Sequence, residues 1–95
     1  KAILYVGLGG NTGRFDEILA IGKEYNIPVI LDAAHMSGTR YHDQHVGLKA
    51  DATVYSFQAV KNLPTADSGM ISFLKKEYDD GCSIIIKLSG VKICR

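Results

Sequence analysis

Three side chains able to do chemistry stand within or just after apolar runs. Asp32 follows the five residues of "IPVIL" (27–31). Lys61 lies just past "ATVYSF" (52–57), and Ser56 sits inside that run five positions before it. A carboxylate at the carboxyl end of a central strand occupies the place where open α/β sheets bind ligands, or else it caps the loop that follows. A lysine in such a place either snorkels to solvent or, in a closed crevice, is desolvated until its neutral amine becomes a nucleophile. Local sequence leaves both alternatives open for both residues. Taken together, a lysine, a carboxylate and a hydroxyl match the needs of pyridoxal 5'-phosphate: an amine for the aldehyde, an anion for the pyridinium nitrogen and a hydroxyl for the phosphate.

Two further motifs invite other chemistry. "GLGGNTG" (7–13) is glycine-rich, but a GxGxxG dinucleotide loop would need glycine at position 12, where Thr12 stands, so it reads as a connecting loop. "HDQH" (42–45), with His35 nearby, has two histidines three apart in a loop-like segment without a recognisable zinc ligand set. It reads as solvated loop, and no metal is expected.

The elements that must position these groups follow from hydrophobic pattern. "AILYV" (2–6) reads as a short buried strand. Phe15, Ile18, Leu19, Gly22 and Tyr25 recur at helical spacing, with Asp16 and Glu17 in the first turn, Asn26 as a stop and Pro28 beyond. "IPVIL" is a continuous apolar run, expected of a strand buried on both faces. Strand, helix and strand within about thirty residues form a βαβ unit with parallel strands. Residues 33–50 read as polar and irregular, 52–57 as a third strand and 69–74 as a fourth. Residues 75–95 are ambiguous: "KKEYDD" is helix-like, whereas "SIIIKL" is β-branched behind a "DDG" turn. The expected fold class is α/β, a mostly parallel sheet flanked by helices.

Ninety-five residues with 46% hydrophobic and 22% charged side chains describe at most one globular domain. A net charge of +1 supplies no field to draw a nucleic acid or an anionic membrane. No apolar run approaches the roughly 20 residues of a membrane helix. Cys82 and Cys94 fit no CxxC spacing and read as reduced thiols in a cytoplasmic chain. A chain beginning at Lys1 and ending at Arg95 reads as part of something larger.

"VILDAAHMSG" followed by "VGLKADATVYSFQAVKNLPTADSGMI" resembles the DegT/DnrJ/EryC1/StrS sugar aminotransferases, pyridoxal phosphate enzymes of the aspartate aminotransferase fold. The shared pattern is Asp-Ala-Ala-(Gln/His), then Ser-Phe-x-x-x-Lys, then a "G-M-I" strand, and the likeness covers roughly residues 3–92. It implies that Lys61 is the lysine bonded to the cofactor and Asp32 the partner of its ring nitrogen. It also implies that His35 lies beside the ring near the phenolic oxygen, and that Ser56 is a phosphate ligand. The reaction implied is transfer of an amino group from an amino acid, typically glutamate, to a nucleotide-linked keto-sugar by a homodimer.

The chain departs from the pattern at Ser68, where a second glycine is common, and at Gly81, which would cost about 1 kcal/mol inside a helix. Family members are several times longer, so residues 1–95 are expected to be a core fragment of the cofactor-binding large domain. The N-terminal part and the small C-terminal domain would be missing, leaving a fragment inactive alone. Sibling sugar dehydratases carry histidine in place of the lysine, which Lys61 argues against. A non-catalytic regulator or degenerate paralogue of the same fold is the alternative, and a nucleotide-binding oxidoreductase module built on "GLGGNTG" is a more distant one.

Overall fold

The computed structural model of the chain describes residues 1–78. Short aliphatic and β-branched runs form the strands β1 (Ile3–Val6), β2 (Val29–Asp32), β5 (Ala52–Ser56) and β6 (Gly69–Phe73). A minimal hairpin is made of β3 (Arg40–Tyr41) and β4 (Gln44–His45), and the helix α1 spans Phe15–Glu24. The main sheet has the order β1-β2-β5-β6. β1 and β5 run parallel to β2 on either side, and β6 closes the edge antiparallel to β5. The sheet is thus mostly parallel, and β1-α1-β2 is the βαβ unit that the apolar pattern implies. Residues 79–95, with both cysteines and the "SIIIKL" segment, lie outside the described residues.

Helix α1 follows from its ends and its apolar face. Asp16 and Glu17 occupy the first turn and Lys23 the last, each on the side the helix dipole favours. The chain leaves the helix at Tyr25, whose N–H still bonds to Ile21 O, and Asn26 turns it with φ of 51°. Tyr25, expected on the apolar stripe, is exposed because it has already left that face. Phe15 and Gly22 are the helix residues fully buried on the sheet. Phe15 stacks on Tyr5 of β1 at 5.3 Å and meets Tyr41 of the hairpin at 6.0 Å.

Strand alternation then divides the sheet into two unlike faces. Val29, Leu31 and Tyr55 point with Phe15, Met36, Val46 and Ala50 into one core. The opposite side carries Leu4, Val6 and Val54, all exposed, and Ile30, half-buried. β2 was expected to be buried on both faces; among the described residues its core contacts lie on one face only. The apolar character of both faces still shows in the residue types, as in parallel strands generally.

A second correction concerns residues 33–50, expected to be irregular. They contain the β3–β4 hairpin, whose central residues His42 and Asp43 have φ of 49° and 61°. Two left-handed residues make the tight connection matched to strand twist, a position more often filled by Asn-Gly or Asp-Gly. The histidine hides that signal. His42 Nε2 lies 2.9 Å from Asp16 Oδ2, joining the hairpin to the start of α1. This hydrogen bond holds the Asp16 carboxyl below its usual range. Both groups are exposed, so the pair orders the hairpin more than it stabilises the fold. The chain then enters a 3₁₀ turn, Val46–Leu48, that buries Val46.

The close seat of α1 on β2 gives a test in which two effects compete. A Cβ on Gly22 would come within 2.6 Å of Val29 Cγ2 and 2.9 Å of Ile27 O. Gly→Ala inside a helix ordinarily gains about 0.5–1 kcal/mol, but overpacking against an immobile carbonyl costs about 1–3 kcal/mol. Gly22→Ala is therefore expected to lower the thermal midpoint of the full-length protein, and a rise would contradict this packing. Phe15→Ala should cost more, about 3–5 kcal/mol in denaturant unfolding.

Candidate functional site

The four residues singled out in the sequence all fall beyond or at the carboxyl ends of β2 and β5. Asp32 is the last residue of β2, in register with Val6 of β1 and Val54 of β5. Alternation aims its side chain to the open face of the sheet, away from the core. Its Oδ1 accepts a hydrogen bond from Ala34 N at 3.0 Å. Among the described residues no bond reaches Oδ2. The two readings of Asp32 are therefore compatible: one oxygen caps the loop and the other remains available.

Ser56 lies two residues beyond Val54 and so shares the face of Asp32 on the neighbouring strand. It is half-buried, and its backbone is in register with Gly69 of β6. No hydrogen bond among the described residues engages its hydroxyl.

His35 is exposed three residues after Asp32, and its Nδ1 accepts from the N–H of Gly9 at 3.3 Å. The glycine loop after β1 thus has a role that its failed match to a dinucleotide motif concealed. Gly7 N donates to Asp32 O at 3.0 Å, and a Cβ on Gly7 would lie 1.9 Å from Met36 Sδ. The loop must be nearly bare to pass over the fully buried Met36. Gly9 and Gly10, with φ of 62° and 80°, make the turn that presents the Gly9 N–H to His35. The signal was four glycines in seven residues; what it served was close backbone approach, legible only once the 33–38 loop was placed beside it.

Lys61 is half-buried in the loop 57–68 between β5 and β6. Phe57 N bonds to Ser68 O at 2.9 Å and Thr65 N to Phe57 O at 2.8 Å, closing the base of the loop; Lys61 N bonds to Gln58 O at 2.9 Å within it. The Asn62 side-chain amide donates to Ser37 O at 2.8 Å, so the lysine loop is tied to the loop that begins at Asp32. Asn62 was not singled out in the sequence, because a lone amide in a turn is ordinary turn chemistry.

The ion pairs among the described residues are Arg14–Glu17 and His42–Asp16; Asp32 and Lys61 belong to neither. The other histidines are engaged elsewhere. His42 faces Asp16, and His45 Nδ1 accepts from Gly47 N at 3.3 Å. Among the described residues no three metal-ligating side chains cluster. A pocket lined by Lys23, Pro28, Lys49, Asp51, Lys75 and Tyr78 opens at the amino-terminal ends of β2 and β5, away from all four residues.

Comparison with known proteins points the same way. The sequence profile described as the DegT/DnrJ/EryC1/StrS aminotransferase family matches residues 1–93. The uncharacterised protein MJ1066 of Methanocaldococcus jannaschii is 37% identical over 91 residues, which are 96% of this chain and 23% of that protein. Helicobacter pylori PseC, an aminotransferase involved in the biosynthesis of pseudoaminic acid, superposes with a TM-score of 0.85 at 27% identity, over 90% of this chain and 23% of its own. Streptococcus pneumoniae Spr1654 in its PLP form, assigned as a sugar aminotransferase, gives 0.74 at 28% identity, over 90% and 27%. The chain thus spans about a quarter of the length of these proteins.

The capping bond of Asp32 separates its local role from its charge. Asp32→Asn keeps an oxygen for Ala34 N and should leave thermal stability nearly unchanged. Asp32→Ala removes the acceptor and should cost about 0.5–2 kcal/mol. Equal stability of the two variants would show that the cap contributes nothing.

Proposed function

Because the chain belongs to the DegT/DnrJ/EryC1/StrS aminotransferase family, we propose that it is the core of the cofactor-binding large domain of a pyridoxal phosphate-dependent sugar aminotransferase. The enzyme would move an amino group from an amino acid, glutamate in this reading, to a nucleotide-linked keto-sugar. The observation that carries the proposal is the placement of Asp32 and Ser56 on one face at the carboxyl ends of adjacent parallel strands, with the lysine loop tied to the Asp32 loop.

These residues fit the group in chemistry. Among the described residues Asp32 has an oxygen without a partner, Ser56 a hydroxyl without one, and Lys61 an amine outside any ion pair. The bound cofactor supplies an electron-withdrawing ring and an aldehyde. Asp32 would hold the protonated ring nitrogen with the oxygen that the cap leaves over, a duty that requires negative charge. Ser56 would donate to a phosphate oxygen. His35, with Nδ1 committed to the Gly9 N–H, would present Nε2–H as a donor beside the ring. Lys61 Nζ would be the nucleophile for the aldehyde and, when free, the group that takes and returns a proton at the substrate carbon.

Several parts of the reading extend past these residues. The domain would be completed by further chain on both sides, residues 1–95 alone would be inactive, and the working enzyme would be a homodimer in the cytoplasm. No helix among the described residues is long and apolar enough to cross a membrane.

The full-length protein should be yellow when loaded with cofactor, and borohydride should fix the cofactor on Lys61. Lys61→Ala should lose that absorbance and its trapped adduct, and retention of both would overturn the assignment. Glutamate-dependent amination of a panel of nucleotide-linked keto-sugars should fall about 10²–10³-fold in kcat for Asp32→Asn, the scale of a lost preorganised charge. Cofactor binding without amination of any keto-sugar would instead identify a non-catalytic relative.

A further inference from the structure

We propose that Asn62 is a positioning residue for Lys61, holding the lysine loop against the loop that follows Asp32 so that the amine and the carboxylate keep a fixed relation. The inference rests on the reading of Lys61 as the cofactor-bearing amine.

The hydrogen bonds at the base of the loop 57–68 are internal to it. Phe57 with Ser68, Thr65 with Phe57 and Lys61 with Gln58 shape the loop but do not fix it relative to β2. Asn62 Nδ2 to Ser37 O, at 2.8 Å, is the only hydrogen bond among the described residues between 57–68 and 33–38. Apolar packing holds the loop at its base, where Phe57 lies against the core and stacks on Tyr55, but not around Lys61 and Asn62. Val60 is 83% exposed and Leu63 56%, so the side chains flanking Lys61 and Asn62 contribute little burial among the described residues.

The other end of the tie is firmly held. Ala34 N bonds to Asp32 Oδ1, Met36 N to Ala33 O and Thr39 N to Met36 O, and the Met36 side chain is wholly buried. Ser37 O is therefore a fixed acceptor five residues from Asp32, and Asn62 is covalently next to Lys61. One amide hydrogen bond thus refers the position of the amine to that of the carboxylate. Loss of the bond frees the loop without exposing core, so its effect should fall on reaction geometry and not on global stability. Misplacement of a reacting group by about 1 Å is enough to cost about 10²-fold in rate.

The test uses the full-length protein with Asn62→Asp, Asn62→Ala and Asn62→Gln. The aspartate is near-isosteric but, when ionised, has no N–H for Ser37 O and repels it. The glutamine carries the amide on a longer stem and serves as partial rescue. In the apoprotein, hydrogen exchange of the 57–68 amides should quicken in the Asp and Ala variants, while exchange in β1, β2 and the thermal midpoint stay at wild-type values. In the loaded protein, the pH midpoint of the visible absorbance should shift for Asp and Ala and return toward wild type for Gln. Turnover should fall about tenfold in kcat with KM for the amino donor within about twofold, the signature of lost positioning rather than lost binding.

Unaltered 57–68 exchange and an unaltered absorbance midpoint in both variants would overturn the inference. So would faster exchange spread over the whole sheet with a falling thermal midpoint, which marks a merely structural bond. Absence of lysine-borne absorbance in the wild type would overturn the functional reading and this inference with it. Normal wild-type absorbance with indifferent Asn62 variants would overturn this inference alone.

Discussion

The parallel register of β2 between β1 and β5 is the constraint on which the rest of the molecule depends. Val6, Asp32 and Val54 lie side by side across three strands. Once Leu31 is driven into the core, where it is fully buried, the two-residue alternation of a strand leaves Asp32 no choice of face. A slip of one residue would bury the carboxylate among Phe15, Met36 and Val46 and expose Leu31. Burying an unpaired carboxylate costs far more than the register itself gains, so apolar burial of one residue fixes the direction of the charged one after it.

The same constraint explains why chemistry collects at one end of the sheet. Parallel strands deliver their carboxyl ends together, and the connections leaving β1, β2 and β5 must share the space beyond them. The first connection answers with glycines, letting Gly7 lie against Met36 and Gly9 donate to His35. The second begins with the Asp32 cap. The third is longer, closed at its base by its own backbone bonds and joined to the second by Asn62. Each loop is braced by another loop, and Ala33 and Met36 of the second connection are wholly buried beneath them.

The core itself sits on the other side. Phe15, between Tyr5 and Tyr41, links helix, sheet and hairpin in one aromatic contact, and the hairpin is held to the helix by His42 and Asp16. Separation of the core from the face that bears Asp32 and Ser56 lets site residues be chosen for charge and hydrogen bonding with little penalty in packing. Leu4, Val6 and Val54 on that face remain apolar and exposed among the described residues.

By itself the sequence determined the strand-helix-strand unit, the four main strands and the four candidate residues, because those signals are local: apolar runs, helical spacing, a carboxylate and an amine placed just after strands. The family likeness was also carried by short ordered motifs. Tertiary structure alone decided three things. Among the described residues it showed one covered face of β2 where composition suggested two, since an apolar run reports affinity for burial and not what is present to bury it. It disclosed a hairpin at His42 and Asp43, whose left-handed backbone is stabilised by pairing and by Asp16 rather than by usual turn residues. And it brought Gly9 to His35 and Asn62 to Ser37, contacts 26 and 25 residues apart in sequence that no local pattern encodes, because they exist only where parallel strands end side by side.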